Sequence, residues 1–418
     1  MQRKIFAIAF LLAPLYWTAP SQAAKPEHIK QLLTTNHCPK CDLKNVDLRG
    51  GNFRGADLTG ANLAGAMLEG ADLRGAKLRG AELQQTVLRS ANLEVADLQE
   101  AKMRNAMVRG ANLRGANLKN ARLRGARLRE VDLREANLSA AFLTEAVLIE
   151  SNLSMADLRG ANLTAAKLTK ANLETANLES ANLTGADLSE AYLGETTLRN
   201  AILNNANLKS AYMAACTLVG AKLNGAMLNR TDLTGANLSQ ADLTNAKVAN
   251  ADLSRTILTM ANLTNANLTN SKLINAYLFN TNLQGAILTN ANLTSANVEN
   301  ANLRNTILNS ADLSQVNLKS ANLYQTNLTG AILSDVNLNE IDISLVKLMP
   351  DLFNHAARMN REPLLESVSA TSENSDRTTA EQQSKPSLSP PRRAGRFAEE
   401  WRRRKSQKSK VKSQKGKY

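Results

Sequence analysis

From Cys41 to Leu345 a large apolar residue recurs at every fifth position, beginning Leu43, Leu48, Phe53, Leu58 and ending Leu333, Leu338, Ile343. The series has 61 members, 54 of them Leu; the others are Phe53, Met103, Val108, Met213, Val248, Val298 and Ile343. Two residues before each stands Ala or another small residue in nearly every case, and between the two lies Asn or Asp in most repeats. The run holds no proline, insertion or deletion.

A period of five fits neither regular element. On an α-helix five residues turn about 500°, so successive leucines would stand about 140° apart and wander over every face. On a plain strand an odd period sends successive leucines to opposite faces. Consistency returns if the chain turns a corner once per repeat. The small residue and the Leu, two apart, then point inward together, and the Asn, Gly, Ser and Thr that follow supply corner chemistry. Right-angle corners make four repeats one coil, stacked on the next at about 4.8 Å, so the run predicts about fifteen coils and a rod of about 70 Å. Composition agrees: 43% of the chain is hydrophobic but only 4% aromatic, which suits a narrow bore built from identical small layers.

Ala56-Asp57-Leu58-Thr59-Gly60 and Ala236-Asn237-Leu238-Ser239-Gln240 match in frame the small-[Asn/Asp]-Leu-x-x motif of the pentapeptide-repeat family, which residues 41–345 resemble. The resemblance implies an all-β fold, a right-handed quadrilateral β-helix, and no enzymatic activity. The opening Leu32-Leu33…Cys38-Pro39-Lys40-Cys41-Asp42-Leu43 resembles exported cyanobacterial members, which implies a periplasm or thylakoid lumen. Some members mimic DNA and bind DNA gyrase; that role calls for an acidic cytoplasmic rod, which the charge and the N-terminus here oppose.

The sequence predicts a signal peptide (1–23), an N-terminal capping segment (24–40), the solenoid (41–348), a C-terminal capping segment (349–365), a flexible linker (366–391) and a disordered basic tail (392–418). Arg3 and Lys4, the apolar Ile5 to Leu12 and Ser21-Gln22-Ala23 form the signal pattern, with cleavage expected after Ala23. Ile29, Leu32 and Leu33 at helical spacing predict a cap helix within Pro26 to Asn36; Leu352, Phe353, Ala356 and Met359 predict another at the far end.

Chemistry is sparse. A bore filled with Leu and Ala leaves no room for a substrate or cofactor, and inward positions carry almost no titratable group. Cys38-Pro39-Lys40-Cys41 lacks the His that haem attachment needs, Asp42 standing there. A redox site lacks its strand-helix context, and a zinc site would have only His28 and His37 to add. Export favours a structural Cys38–Cys41 disulfide bracing the first coil against its cap. Cys216 falls at an inward position and reads as a buried thiol.

The net charge of +14 is uneven. Residues 44–134 carry 17 Lys and Arg against 10 Asp and Glu, residues 135–345 carry 12 against 17, and residues 385–418 carry 13 against 2. With twenty residues per coil, Arg49, Arg89, Arg109 and Arg129 share one outward column and Arg54, Arg74, Arg114 and Arg134 the next, interrupted by Glu69 and Glu94. Stacked guanidiniums repel unless they are solvated or meet an anion, so the columns are either a solvated face or a docking surface for an anionic partner. Another column replaces Asn or Asp with Met67, Val87, Met107, Val147, Met227, Ile287 and Ile307, which suits drift, a partner or self-association into a homo-oligomer. In the tail Arg392, Arg393, Phe397, Trp401, Arg402, Arg403, Arg404 and Lys405 set two aromatics on one helical face beside cations, the pattern of an interfacial helix on an anionic membrane. Nucleic acid would suit the charge, but export removes it. The chain thus reads as a scaffold that docks a protein or an anionic membrane surface.

Overall fold

A computed structural model describes residues 24–337 together with Ile341 and Val346. The expected signal peptide, C-terminal cap, linker and basic tail lie outside the described residues. Helix α1 spans Pro26–Thr35 with Pro26 at its start and Glu27 in the first turn, both suited to a helix N-terminus. It ends at Asn36, whose left-handed backbone (φ 56°) lets its N–H reach the Leu32 carbonyl at 2.9 Å. Leu32 is buried. The helix is tied to the solenoid at both ends: Asn36 Nδ2 donates to the Arg54 carbonyl, and the Asp42 N–H donates to His28 Nδ1 at 2.9 Å.

The solenoid residues form parallel bridges between positions twenty residues apart, such as Asp42 with Asn62, Asp47 with Met67, Asn52 with Asp72 and Asp57 with Lys77. Four repeats therefore make one coil, and these pairs open four faces, here numbered first to fourth in that order. The described residues fall into two compact units. Unit one comprises those up to Ala191 with Ala201–Asn207, and unit two Tyr192–Asn200 with those from Leu208 onward. In each unit the small residue and the Leu point inward and are buried, as with Ala156 and Leu158 in unit one and Ala236 and Leu238 in unit two. Each fully buried Leu stabilises by about 1.5–3 kcal/mol.

Every N–H of a regular repeat has a partner, which explains the motif residue by residue. Leu58 donates to the Lys77 carbonyl in the next coil and Gly60 to that of Arg79, while Asp57 donates back to Asn36 and Ala61 closes the turn on Leu58. The fifth N–H, that of Thr59, donates to Asp57 Oδ1 at 3.1 Å. Asn or Asp thus stands before the Leu because its side chain accepts the one N–H that coil stacking leaves over. The fifth residue of each described repeat is left-handed, with φ from 51° to 72°; Gly fits it without strain and Asn tolerates it. Inward Thr residues are satisfied as well: Thr86, Thr231 and Thr281 donate to the carbonyls of Leu63, Leu208 and Leu258.

Candidate functional site

Cys38 and Cys41 form a disulfide, their Cα atoms 5.4 Å apart, joining the segment just past α1 to the first coil. Cys216 is free and buried, and that burial pushes its thiol pKa up. Among the described residues no group of three or more His, Cys, Asp or Glu could hold a metal ion. No described helix is long and apolar enough to cross a membrane.

The arginine columns lie on the second and third faces of unit one, and acids are interleaved with them. In Asp47-Leu48-Arg49, Asp72-Leu73-Arg74 and Asp132-Leu133-Arg134 the Arg grips the Asp two residues earlier in a two-pronged pair, Nη2 to Oδ2 at 2.6–2.7 Å. Asp157-Leu158-Arg159 repeats this on the fourth face. The Arg49 and Arg74 guanidiniums hold the carboxyls of Asp47 and Asp72 below the usual range. Arg114 meets Glu135 of the next coil at 2.7 Å, Arg109 meets Glu130 at 3.4 Å, and Arg129 lies 3.4 Å and 3.6 Å from Glu130 and Glu150. Of the column arginines, Arg54 and Arg89 make no such pair among the described residues; Arg89 Nη2 lies 3.7 Å from the Met107 sulfur instead.

Cations that the column reading passes over stand on the first and second faces. Arg104, Arg122 and Arg127 are exposed and have no carboxylate partner among the described residues. Lys102 bridges to Arg122 and Arg122 to Phe142 along the first face, while Arg127 bridges to Met107 and Val147 on the second. Lys102 pairs with Glu82 at 2.8 Å, and Arg124 lies 3.5 Å from Glu145. Phe142 is 49% exposed. A groove of about 390 Å³, lined by Gly80, Glu100, Lys102, Asn120, Arg122 and Phe142, runs beside them. The signal in the sequence is the loss of Asn or Asp before the inward residue at positions 102, 122, 127 and 142.

Parallel bridges twenty residues apart and inward Leu and Ala, with the charged side chains described above on the outside, define a β-helical repeat protein. The family model described as pentapeptide repeats matches overlapping segments over residues 41–309 and again over 311–348, so the chain belongs to the pentapeptide-repeat family. A comparison with curated proteins finds no match. Among solved structures the chain is similar to HetL, a pentapeptide repeat protein involved in heterocyst differentiation regulation from the cyanobacterium Nostoc sp. strain PCC 7120: 33% identity over 57% of this chain and 90% of that one, TM-score 0.35. It is similar to a pentapeptide repeat protein of the Arabidopsis thaliana thylakoid lumen at 32% identity, over 29% of this chain and 68% of that one, TM-score 0.13. It is also similar to QnrB1, a plasmid-mediated fluoroquinolone resistance protein, at 18% identity over 44% of this chain and 99% of that one, TM-score 0.26.

Proposed function

We propose that this chain is a non-enzymatic interaction scaffold of an exported compartment, a periplasm or thylakoid lumen, wound as a right-handed four-sided helix of about fifteen coils. It docks anionic partners, a protein on the arginine-bearing surface of unit one and an anionic membrane surface on the tail around Arg392, Arg393, Phe397 and Trp401. One observation carries the reading: residues 44–134 hold 17 basic against 10 acidic side chains, while the buried positions of unit one hold Leu, Ala and their kin. The signal pattern at residues 1–23 supports export.

The sequence supplies a probe for the tail, since the chain has two tryptophans and Trp401 alone remains once residues 1–23 are removed. A blue shift of its emission with anionic but not neutral liposomes is the expected result. No shift with either removes the membrane from the proposal. Inhibition of DNA gyrase supercoiling by the exported form would overturn the reading in favour of the DNA-mimic role.

A further inference from the structure

In unit one the Asn or Asp that accepts the leftover N–H is kept along the third and fourth faces except at Lys77 and at His37, next to α1. On the other two faces it is given up in consecutive coils. Glu82, Lys102, Arg122 and Phe142 follow one another on the first face, and Met67, Val87, Met107, Arg127, Val147 and Lys167 on the second. In unit two such exchanges are spread over all four faces, as Lys222, Met227, Tyr212 and Tyr277 show. Each exchange withdraws an acceptor from the backbone, so it works against the fold. Concentrated on two faces that share a corner, the exchanges mark a surface shaped for something other than stability.

Two kinds of side chain stand out there, beside the Lys102–Glu82 pair. Arg104, Arg122 and Arg127 are exposed guanidiniums with no carboxylate partner among the described residues, set beside half-exposed Phe142 and the apolar Met107 and Val147. The column arginines differ, since most are already gripped by Asp or Glu. An anion would have to displace a carboxylate from Arg49 or Arg74 but none from Arg122. Arg, Met and an aromatic side by side is the composition of protein interfaces. Glu82 and Glu100 lie within the same area. They would repel a uniformly anionic polymer or lipid surface, yet tolerate a peptide whose acids are spaced.

We infer that this corner patch, centred on Arg104, Arg122, Arg127 and Phe142, docks a protein partner through an acidic segment that also carries apolar side chains. The inference rests on the anionic-partner reading above and moves its anchor from the arginine columns, on the second and third faces, to the corner between the first and second faces of unit one. Carboxylates of the partner pair with the three guanidiniums in the fork geometry Arg favours, and its apolar residues cover Phe142 and Met107.

The test is fluorescence polarisation with a labelled peptide of four Glu-Glu-Leu repeats and the full chain. Three variants are compared with the wild type: Arg104→Gln/Arg122→Gln/Arg127→Gln, Phe142→Ser, and a control Arg49→Gln/Arg74→Gln/Arg134→Gln. Far-ultraviolet circular dichroism confirms that each is folded. The patch triple variant is expected to weaken binding at least about tenfold, Phe142→Ser about threefold, and the control less than about twofold. Oligo-thymidylate and phosphatidylglycerol vesicles are expected to compete poorly. An equal or larger loss in the control overturns this inference while leaving the anionic-partner reading intact. Stronger competition by the oligonucleotide or the vesicles, through the same three arginines, overturns the protein partner. Failure of peptide, oligonucleotide and vesicles alike overturns both readings.

Discussion

Gly51 occupies a position where the following repeats carry Ala56, Ala61 and Ala66, and the ring of Phe53 fills the place of the missing methyl group. A Cβ on Gly51 would fall on the Cε2 and Cζ atoms of that ring. Phe53 is itself 3% exposed and is the aromatic member of the inward series. At this repeat the ring occupies the space a Cβ on residue 51 would need, so the larger residue at the Leu position goes with a smaller one two residues earlier.

Gly51→Ala is accordingly expected to destabilise by about 1–3 kcal/mol through overpacking, and Phe53→Leu by a similar amount through the void it leaves. The double variant restores the ordinary Ala-x-Leu pair and should be more stable than either single one. A double-mutant cycle from urea denaturation measures the coupling. Strict additivity would show that the two residues do not share one space.

Leu158 and Arg159 are adjacent in the chain but face opposite ways, the first fully buried and the second exposed. Leu158→Lys places an unpaired charge in the bore and is expected to cost at least about 4 kcal/mol. Arg159→Ala removes only an exposed ion pair and should leave the melting temperature close to that of the wild type. Thermal melts of the two variants check this; a retained Tm for Leu158→Lys would contradict its inward placement.

Acid sensitivity follows from the two-pronged pairs. The carboxyls of Asp47, Asp72 and Asp157 are held below their usual range chiefly by hydrogen bonds from Arg49, Arg74 and Arg159. A carboxyl whose folded pKa is depressed adds stability above its unfolded value, about 3.9, and loses it as pH falls through the folded one. The Tm should therefore stay level from about pH 8 to about pH 5 and fall below about pH 4. Asp72→Asn/Asp157→Asn keeps a side-chain acceptor for the Arg N–H but removes the titrating group, so its acid limb should be shallower. A limb as steep as the wild type's would show that other groups govern acid unfolding.

Thiol chemistry separates the three cysteines. Denatured, unreduced protein should take up one equivalent of maleimide, at Cys216, because Cys38 and Cys41 are joined. Labelling at all three would show the bond to be absent. In the native state Cys216 should react slowly, since burial both blocks access and raises its pKa.

The inward half of each repeat is legible from the period alone, because only a chain that turns every five residues keeps Leu58, Leu63 and Leu68 inside. The cap helix is legible from Ile29 and Leu32, and Cys216 from its place in the repeat. The arginine partners are not, for a geometric reason. Reading down a column at intervals of twenty aligns Arg109 with Arg129, whereas the acids that matter lie two residues back, as Asp72 does for Arg74, or twenty-one ahead, as Glu130 does for Arg109. The role of Asn and Asp is likewise hidden. Their recurrence is visible, but the hydrogen bond from Thr59 to Asp57 that explains it needs the folded corner. Without that explanation Arg122 and Phe142 look like ordinary variation instead of places where a backbone acceptor has been surrendered.

The twenty-residue bridge offset turns residue numbers into coordinates. Within a unit, a step of one coil keeps a side chain on the same face, and a step of one repeat moves it one face around. Two outward groups can thus be set at a chosen separation by arithmetic, with the intervening backbone unchanged. A docking patch on such a scaffold can be copied, shifted or doubled by substitution alone, and the distance between the original and its copy is known before the protein is made.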